Sequence, residues 1–384
     1  MEDVLQNIKH AIECSGFPLE YYIGSVLKQH GWQIITNRNY IDDVKGIERE
    51  IDILAYKIYT DKEERIQYVT SLIISCKKSD KHKWCFLTRD IDKSDSNTNW
   101  TPFHYCTSDE RLGYMSEVYP EMIINRYKAN NSIKELYSFN DMVFAYQQLI
   151  EPANEKERKQ NGNLCCVKNE DIYNSISTTI KAINNEKEGR LRACDYREMQ
   201  RYYTFHAISV FEGDMFSAHF ESNNSIKVNK ISDIKYLNRH IVGEKDDFYI
   251  VHFINRSIFD NCLCRYDSVH KENVQTLPIL IRSFYENIFL DTKRTLLLWD
   301  SFVEKIKWRV ECSLSVDDKM INIYYNYNTS KDESVLEICV NCLSTKENID
   351  ALNYNEELVS YTSLWLERIF RYRGKFVFSD YLPF

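Results

Sequence analysis

The sequence predicts a mixed α/β fold, an α+β arrangement around a mixed sheet, and three observations predict it. A helix-periodic stretch at 18–30 leads into three strand-like segments at 32–40, 48–59 and 67–77. A second long helix-periodic stretch, 169–187, precedes the apolar run 203–211. A helix of that length between strands implies a crossover that returns the chain to a parallel strand.

Each element has its own warrant. Residues 3–14 carry Val4, Leu5, Ile8, Ala11 and Ile12 on one helical stripe, and Ser15-Gly16 breaks it. Pro18 suits the first turn of the next helix, whose apolar face is Leu19, Tyr22, Ile23, Val26 and Leu27; Gly31 ends it. Glu20 falls in that first turn, where the helix dipole favours a carboxylate. A turn at 42–46 separates the first two strands. In 48–59, Glu50 and Asp52 share one face, opposite Ile51 and Ile53; in 67–77, Ser75 and Lys77 share a face opposite Ile74 and Cys76. If these strands are neighbours, a carboxylate and an ammonium meet at the end of an otherwise apolar sheet. Metal-assisted phosphodiester hydrolysis uses such a pair.

After Lys77 the chain reads as a basic loop ending in Trp84. Lys78, Lys81 and Lys83 are its candidates for phosphate contact, against the alternative of a solvated turn. Residues 90–99 read as a polar loop, 111–130 and 132–150 have helical periodicity, and 151–162 reads as a linker. In 169–187, Ile172, Ile176, Ile180 and Ile183 form a buried stripe. Strands are expected at 215–220 and 247–254 and a helix at 271–290. The last block carries helices near 295–310 and 355–371 and strands near 319–327 and 334–343. The expected organisation is a domain over 1–290, with core 15–90 plus 168–220 and a helical insertion at about 100–165, and a C-terminal α+β block over 291–384.

Composition narrows the function. The 384 residues are 43% hydrophobic and 28% charged, which excludes a disordered chain and allows two domains. A net charge of −8 excludes a globally basic nucleic-acid binder, so any such contact is local. The start lacks a basic, apolar leader and no apolar run reaches membrane-spanning length, so a cytoplasmic protein without a membrane partner is expected. Twelve scattered cysteines then read as reduced thiols. Cys262 and Cys264 with Cys339 and Cys342 could assemble a four-thiolate zinc site, although a strand at 336–342 would put the last two on opposite faces. His206, His219, His240, His252 and His270 have no partner at ligand spacing, and no glycine-rich phosphate loop is present.

The order of these motifs resembles the PD-(D/E)XK, or restriction-endonuclease-like, nuclease superfamily over roughly residues 15–90. The residues that carry it are Gly16-Phe17-Pro18-Leu19-Glu20, Arg49-Glu50-Ile51-Asp52 and Ser75-Cys76-Lys77-Lys78-Ser79. The resemblance implies a restriction-endonuclease-like αβββαβ core. It also implies Asp52, Glu20 and the backbone carbonyl of Cys76 as ligands of Mg²⁺ (or Mn²⁺), with Lys77 orienting the attacking water and Glu50 as an outer acid. Family members carry an acid where this chain has Ser75; a hydroxyl lacks that charge but can hold a metal-bound water. Two functions stay open. One is a metal-dependent endonuclease acting on DNA, in restriction, anti-phage defence or repair, with RNA as a second candidate substrate and a homodimer suited to cutting both strands. The other is a catalytically degenerate module that binds nucleic acid or a protein partner without cleavage.

Overall fold

Strand alternation and a helical crossover build the central sheet of the first unit. The computed structural model describes residues 2–41, 46–92, 94, 102–152, 163–192, 199–242, 245–314, 321–329, 334–341 and 346–380. The chain forms two compact units, Met1–Asp109 with Ser116–Leu277, and Glu110–Met115 with Pro278–Phe384.

In the first unit, helices α1 (Glu2–Glu13) and α2 (Phe17–Gln29) precede an antiparallel meander of β1 (Gln33–Ile41), β2 (Glu48–Asp61) and β3 (Ile66–Lys78). β3 is buried almost without interruption from Ile66 to Cys76, as a central strand covered on both faces must be. Its other neighbour is β8 (Gln200–Glu212), paired in parallel from Ile66↔Gln200 to Lys78↔Glu212. The crossover helix is α5 (Glu170–Arg192), with Ile172, Ile176, Ile180 and Ile183 buried in one cluster with Leu54 and Ile73. The expected parallel return of 203–211 is therefore observed. β12 (Lys245–Asn255) pairs in parallel with β8, and β11 (Asp233–Val242) closes the order β1-β2-β3-β8-β12-β11. β5 (His104–Thr107) pairs antiparallel with β8 near its start. Helix α2 covers the opposite face from α5. Gly24 there approaches Ile34, which shares its face with Ala55 and Leu72. Helix α6 (Phe259–Tyr285) meets the same face: Asn273 donates to Thr70 at 3.0 Å and to Thr204 at 3.1 Å.

A second sheet has the order β10-β9-β4-β6-β7, from β4 (His82–Asp90), β6 (Asp141–Ile150), β7 (Cys165–Val167), β9 (Met215–Phe220) and β10 (Ile226–Lys230). Two expectations are corrected here. Trp84 does not end a loop; it lies in β4, fully buried, with its ring 3.9 Å from that of Phe211. The insertion is not purely helical. Residues 110–129 do form α3 (Glu110–Val118) and α4 (Pro120–Ala129), but 132–150 hold only a short 3-10 turn and then β6. A dense apolar run such as Met142-Val143-Phe144 satisfies both periods, and pairing with β4 along its length decides for the strand. The helix expected at 271–290 starts earlier, at Phe259. The proposed turn at 42–46 and linker at 151–162 lie largely outside the described residues.

The second unit contains α7 (Thr292–Leu314), α8 (Lys346–Tyr354) and α9 (Glu356–Phe370) with a sheet of order β13-β14-β15. β13 (Asn322–Thr329) and β14 (Ser334–Asn341) are antiparallel, and β15 (Lys375–Asp380) joins β14 in parallel. Trp299, Phe302 and Phe370 pack at tilted and edge-on angles in its core, and the Trp299 indole donates to the Ile323 carbonyl at 3.1 Å.

Candidate active site

The β2–β3 ladder runs out at Ile53↔Ile74 although both strands continue. There the Asp52 carboxylate replaces a main-chain acceptor: its Oδ2 takes the Cys76 N–H at 2.5 Å. Lys77 Nζ lies 3.9 Å from the same oxygen. Within a strand a residue's N–H and C=O point to the same side, so the Cys76 carbonyl also opens toward Asp52. β1 is irregular at this level as well. Asn37, the residue between those that pair Ile51 and Ile53, has a φ of 53°, a left-handed conformation that asparagine tolerates. Its side-chain amide donates to Glu50, an exposed acid at the rim. A charged pair with 20% and 33% of its side chains exposed contributes at most about 1 kcal/mol. Stability alone is thus a weak reason for it to stand beside buried Ile53 and Ile74.

Glu20 brings a third charge from α2. Burial raises its carboxyl above the usual carboxylate range, the negative charge of Asp52 raises it further, Lys77 offsets part of this and Glu50 adds to it. Burial also pushes the Cys76 thiol well up, with Asp52 and Glu20 reinforcing and Lys77 opposing. A carboxyl raised by burial and by a neighbouring carboxylate is the electrostatic setting that a divalent cation relieves. Because a raised carboxyl makes the ionised form of Glu20 a cost to the folded protein near neutral pH, Glu20→Gln is expected to raise the thermal midpoint without metal. The same change should reduce the further rise on adding Mg²⁺, which differential scanning fluorimetry reads directly.

Ser75 is buried, and its Oγ lies 3.5 Å from the Ser175 hydroxyl on α5. Of the three lysines, Lys81 is exposed. Lys78 donates to the Glu13 carbonyl at 2.7 Å and lies 3.5 Å from Glu212, while Lys83 lies 3.3 Å from Asp214. A phosphate would have to compete with those acids for Lys78 and Lys83. Ser175 and Asn37 carried no signal in the sequence, being single polar residues in an amphipathic helix and a strand. The four-thiolate grouping has Cys262 buried and Cys264 exposed on α6 and Cys339 buried on β14, with Cys342 outside the described residues.

The groups brought together are two acids, a lysine and a strand-end carbonyl, all with oxygen or ammonium chemistry toward an anion and a hard cation. Set against protein-family models, curated proteins and solved structures, the chain matches none of them.

Proposed function

We propose that the first unit is a metal-dependent endonuclease that hydrolyses phosphodiester bonds of DNA on a restriction-endonuclease-like core. The observation that carries this reading is the meeting of Asp52 and Lys77 where β2 and β3 part, within electrostatic reach of Glu20 on α2. The order α2-β1-β2-β3-α5-β8, with β8 parallel to β3, supports it.

The donors fit Mg²⁺ or Mn²⁺. Both contacts of Asp52 use Oδ2, which leaves Oδ1 with a Glu20 oxygen and the Cys76 carbonyl as a hard-oxygen set. Such a cation supplies charge on the phosphoryl oxygens and a bound water of lowered pKa. The chain's own residues do the rest. Lys77 donates to a non-bridging phosphate oxygen or to the attacking water and stabilises developing negative charge. Asp52 anchors the Cys76 backbone so that Lys77, the next residue, is held at the strand end. Cutting both strands of a duplex calls for two such sites, so a homodimer is the proposed assembly, in a cytoplasmic restriction, defence or repair setting.

A non-cleaving module that binds nucleic acid or protein is the second reading, favoured by the burial of Ser75 against Ser175. Plasmid and single-stranded DNA incubated with Mg²⁺ or Mn²⁺ separate the two. Metal-dependent nicking that drops roughly 10²–10⁴-fold in Lys77→Ala and vanishes in Asp52→Ala supports the nuclease. Wild-type protein that cuts no better than its variants sinks it, and DNA affinity that falls in Lys81→Ala would then support the second reading.

A further inference from the structure

At the far edge of the central sheet, a second group of donors converges. β11 and β12 form an antiparallel pair in which Asp233 faces Ile254 and Lys235 faces His252, so Asp233 and His252 are diagonal neighbours on one face. Helix α6 crosses that face and presents Cys262 and, one turn later, Tyr266. Asp233 Oδ2 lies 3.1 Å from His252 Nε2, and Tyr266 OH lies 3.0 Å from His252 Nδ1. A carboxylate oxygen, an imidazole nitrogen and the thiol of Asp233, His252 and Cys262 all lie within 4.8 Å of one another. His252 and Cys262 are buried. The Asp233–His252–Tyr266 chain would satisfy those three groups by hydrogen bonds alone. It gives the buried Cys262 thiol no role, and that thiol sits within reach of both other donors.

We propose that Asp233, His252 and Cys262 bind a zinc-class divalent ion with an open fourth position. Zinc takes oxygen, nitrogen and sulfur together, in tetrahedral geometry, whereas Mg²⁺ avoids thiolate. With bonds of about 2.0–2.1 Å, neighbouring oxygen and nitrogen ligands stand about 3.3 Å apart, close to the Asp233–His252 separation. Tyr266 fixes the ring as an outer partner on the other nitrogen, the arrangement that orients metal-binding histidines. Asp233 and His252 also line a cavity of about 410 Å³ whose walls include Thr88, Ser138, Asn140 and Ser217. Two of the three donors, Asp233 and His252, stand at the wall of this polar cavity, which gives an ion held there a coordination position for water or a small polar ligand. Arg265, 3.8 Å from Asp233 Oδ2 and 3.0 Å from Glu135, lines the same cavity and favours an anionic one.

This site is independent of the one proposed for phosphodiester cleavage. Asp52 and Asp233 are separated by four strand spacings, roughly 19 Å.

The test uses the full chain, stripped with a chelator and reloaded with Zn²⁺ or Co²⁺ alone. The wild type is expected to take up one tightly held ion per chain with a thiolate-to-cobalt charge-transfer band, beside any weaker uptake at the Asp52 site. Cys262→Ser should remove that band and weaken binding by more than the roughly 10–100-fold that loss of an outer partner costs, while Cys264→Ser, an exposed thiol on the same helix, keeps both. X-ray absorption of the zinc-loaded wild type needs no variant and should show one sulfur at about 2.3 Å. No stoichiometric uptake, a zinc shell without sulfur, or a charge-transfer band that survives Cys262→Ser overturns the proposal.

Discussion

Asp267→Ala should cost about 3 kcal/mol of stability, one of the two largest effects expected here. Asp267 lies on α6, 17% exposed, and its two oxygens serve three donors. Oδ1 accepts the Trp32 indole N–H at 2.8 Å and Lys57 Nζ at 2.5 Å, and Oδ2 lies 2.7 Å from His30 Nδ1. Hydrogen bonds from Lys57, His30 and Trp32 hold its carboxyl below the usual range although burial alone would raise it. Removing the carboxylate leaves Lys57, 19% exposed beneath the Trp32 ring, without its counter-charge. The unpaired ammonium, more than the lost bonds, sets the penalty. Urea midpoints of Asp267→Ala, Lys57→Met and the double variant test this. The double variant should recover most of the loss, since an apolar pair carries no stranded charge. A double variant as unstable as the sum of the two singles would show that the three donors do not act through Asp267.

The same network shows which parts of the molecule are readable in one dimension. Helix α2, the β1–β3 meander, α5 and β8 follow from periodicity because each has one unambiguous apolar face, and the Ile172–Ile183 stripe is where the structure buries it. Asp52 and Lys77 stand out because a charge at the end of an apolar strand has few innocent explanations. Asp267 does not stand out. Its partners lie more than 200 residues away, and alone it is one acid on the polar side of a helix. Asp233, His252 and Cys262 sit 19 and 10 residues apart on two strands and a helix, so no ligand spacing marks them. β4 escaped notice because its lysine-rich approach looks like a solvated loop, and only the stacking of Trp84 on Phe211 explains why the chain turns inward there.

The protein should also lose stability between pH 6.5 and pH 4, before most carboxylates titrate. Burial pushes the His104 imidazole down to about 3, with the charges of Lys187 and His206 adding to it, and burial takes His206 down to about 4. His270, beside Thr70 Oγ1 at 3.0 Å, falls to about 4 through burial and then the Lys57 charge, with Asp267 opposing. All three start from 6.5 in the unfolded chain. Between that value and the folded one the unfolded state binds protons that the folded state refuses, so their contribution is complete above pH 6.5 and drains as pH falls. Each histidine can contribute up to about 1.4 kcal/mol per pH unit, and even half of that for three of them is on the order of 3 kcal/mol by pH 5. His30 runs the other way, since the bond to Asp267 raises it and its contribution fades as pH rises through the raised value; one such group offsets only part of the loss. The cavity that His104 and His206 line, about 40 Å³ with Tyr137, has room for roughly one water and cannot hydrate an imidazolium. Urea unfolding at pH 7.5, 6 and 5 should therefore show a falling midpoint, and His206→Gln should flatten the slope. A midpoint that does not move between pH 7.5 and 5 would mean these imidazoles protonate without opening the fold.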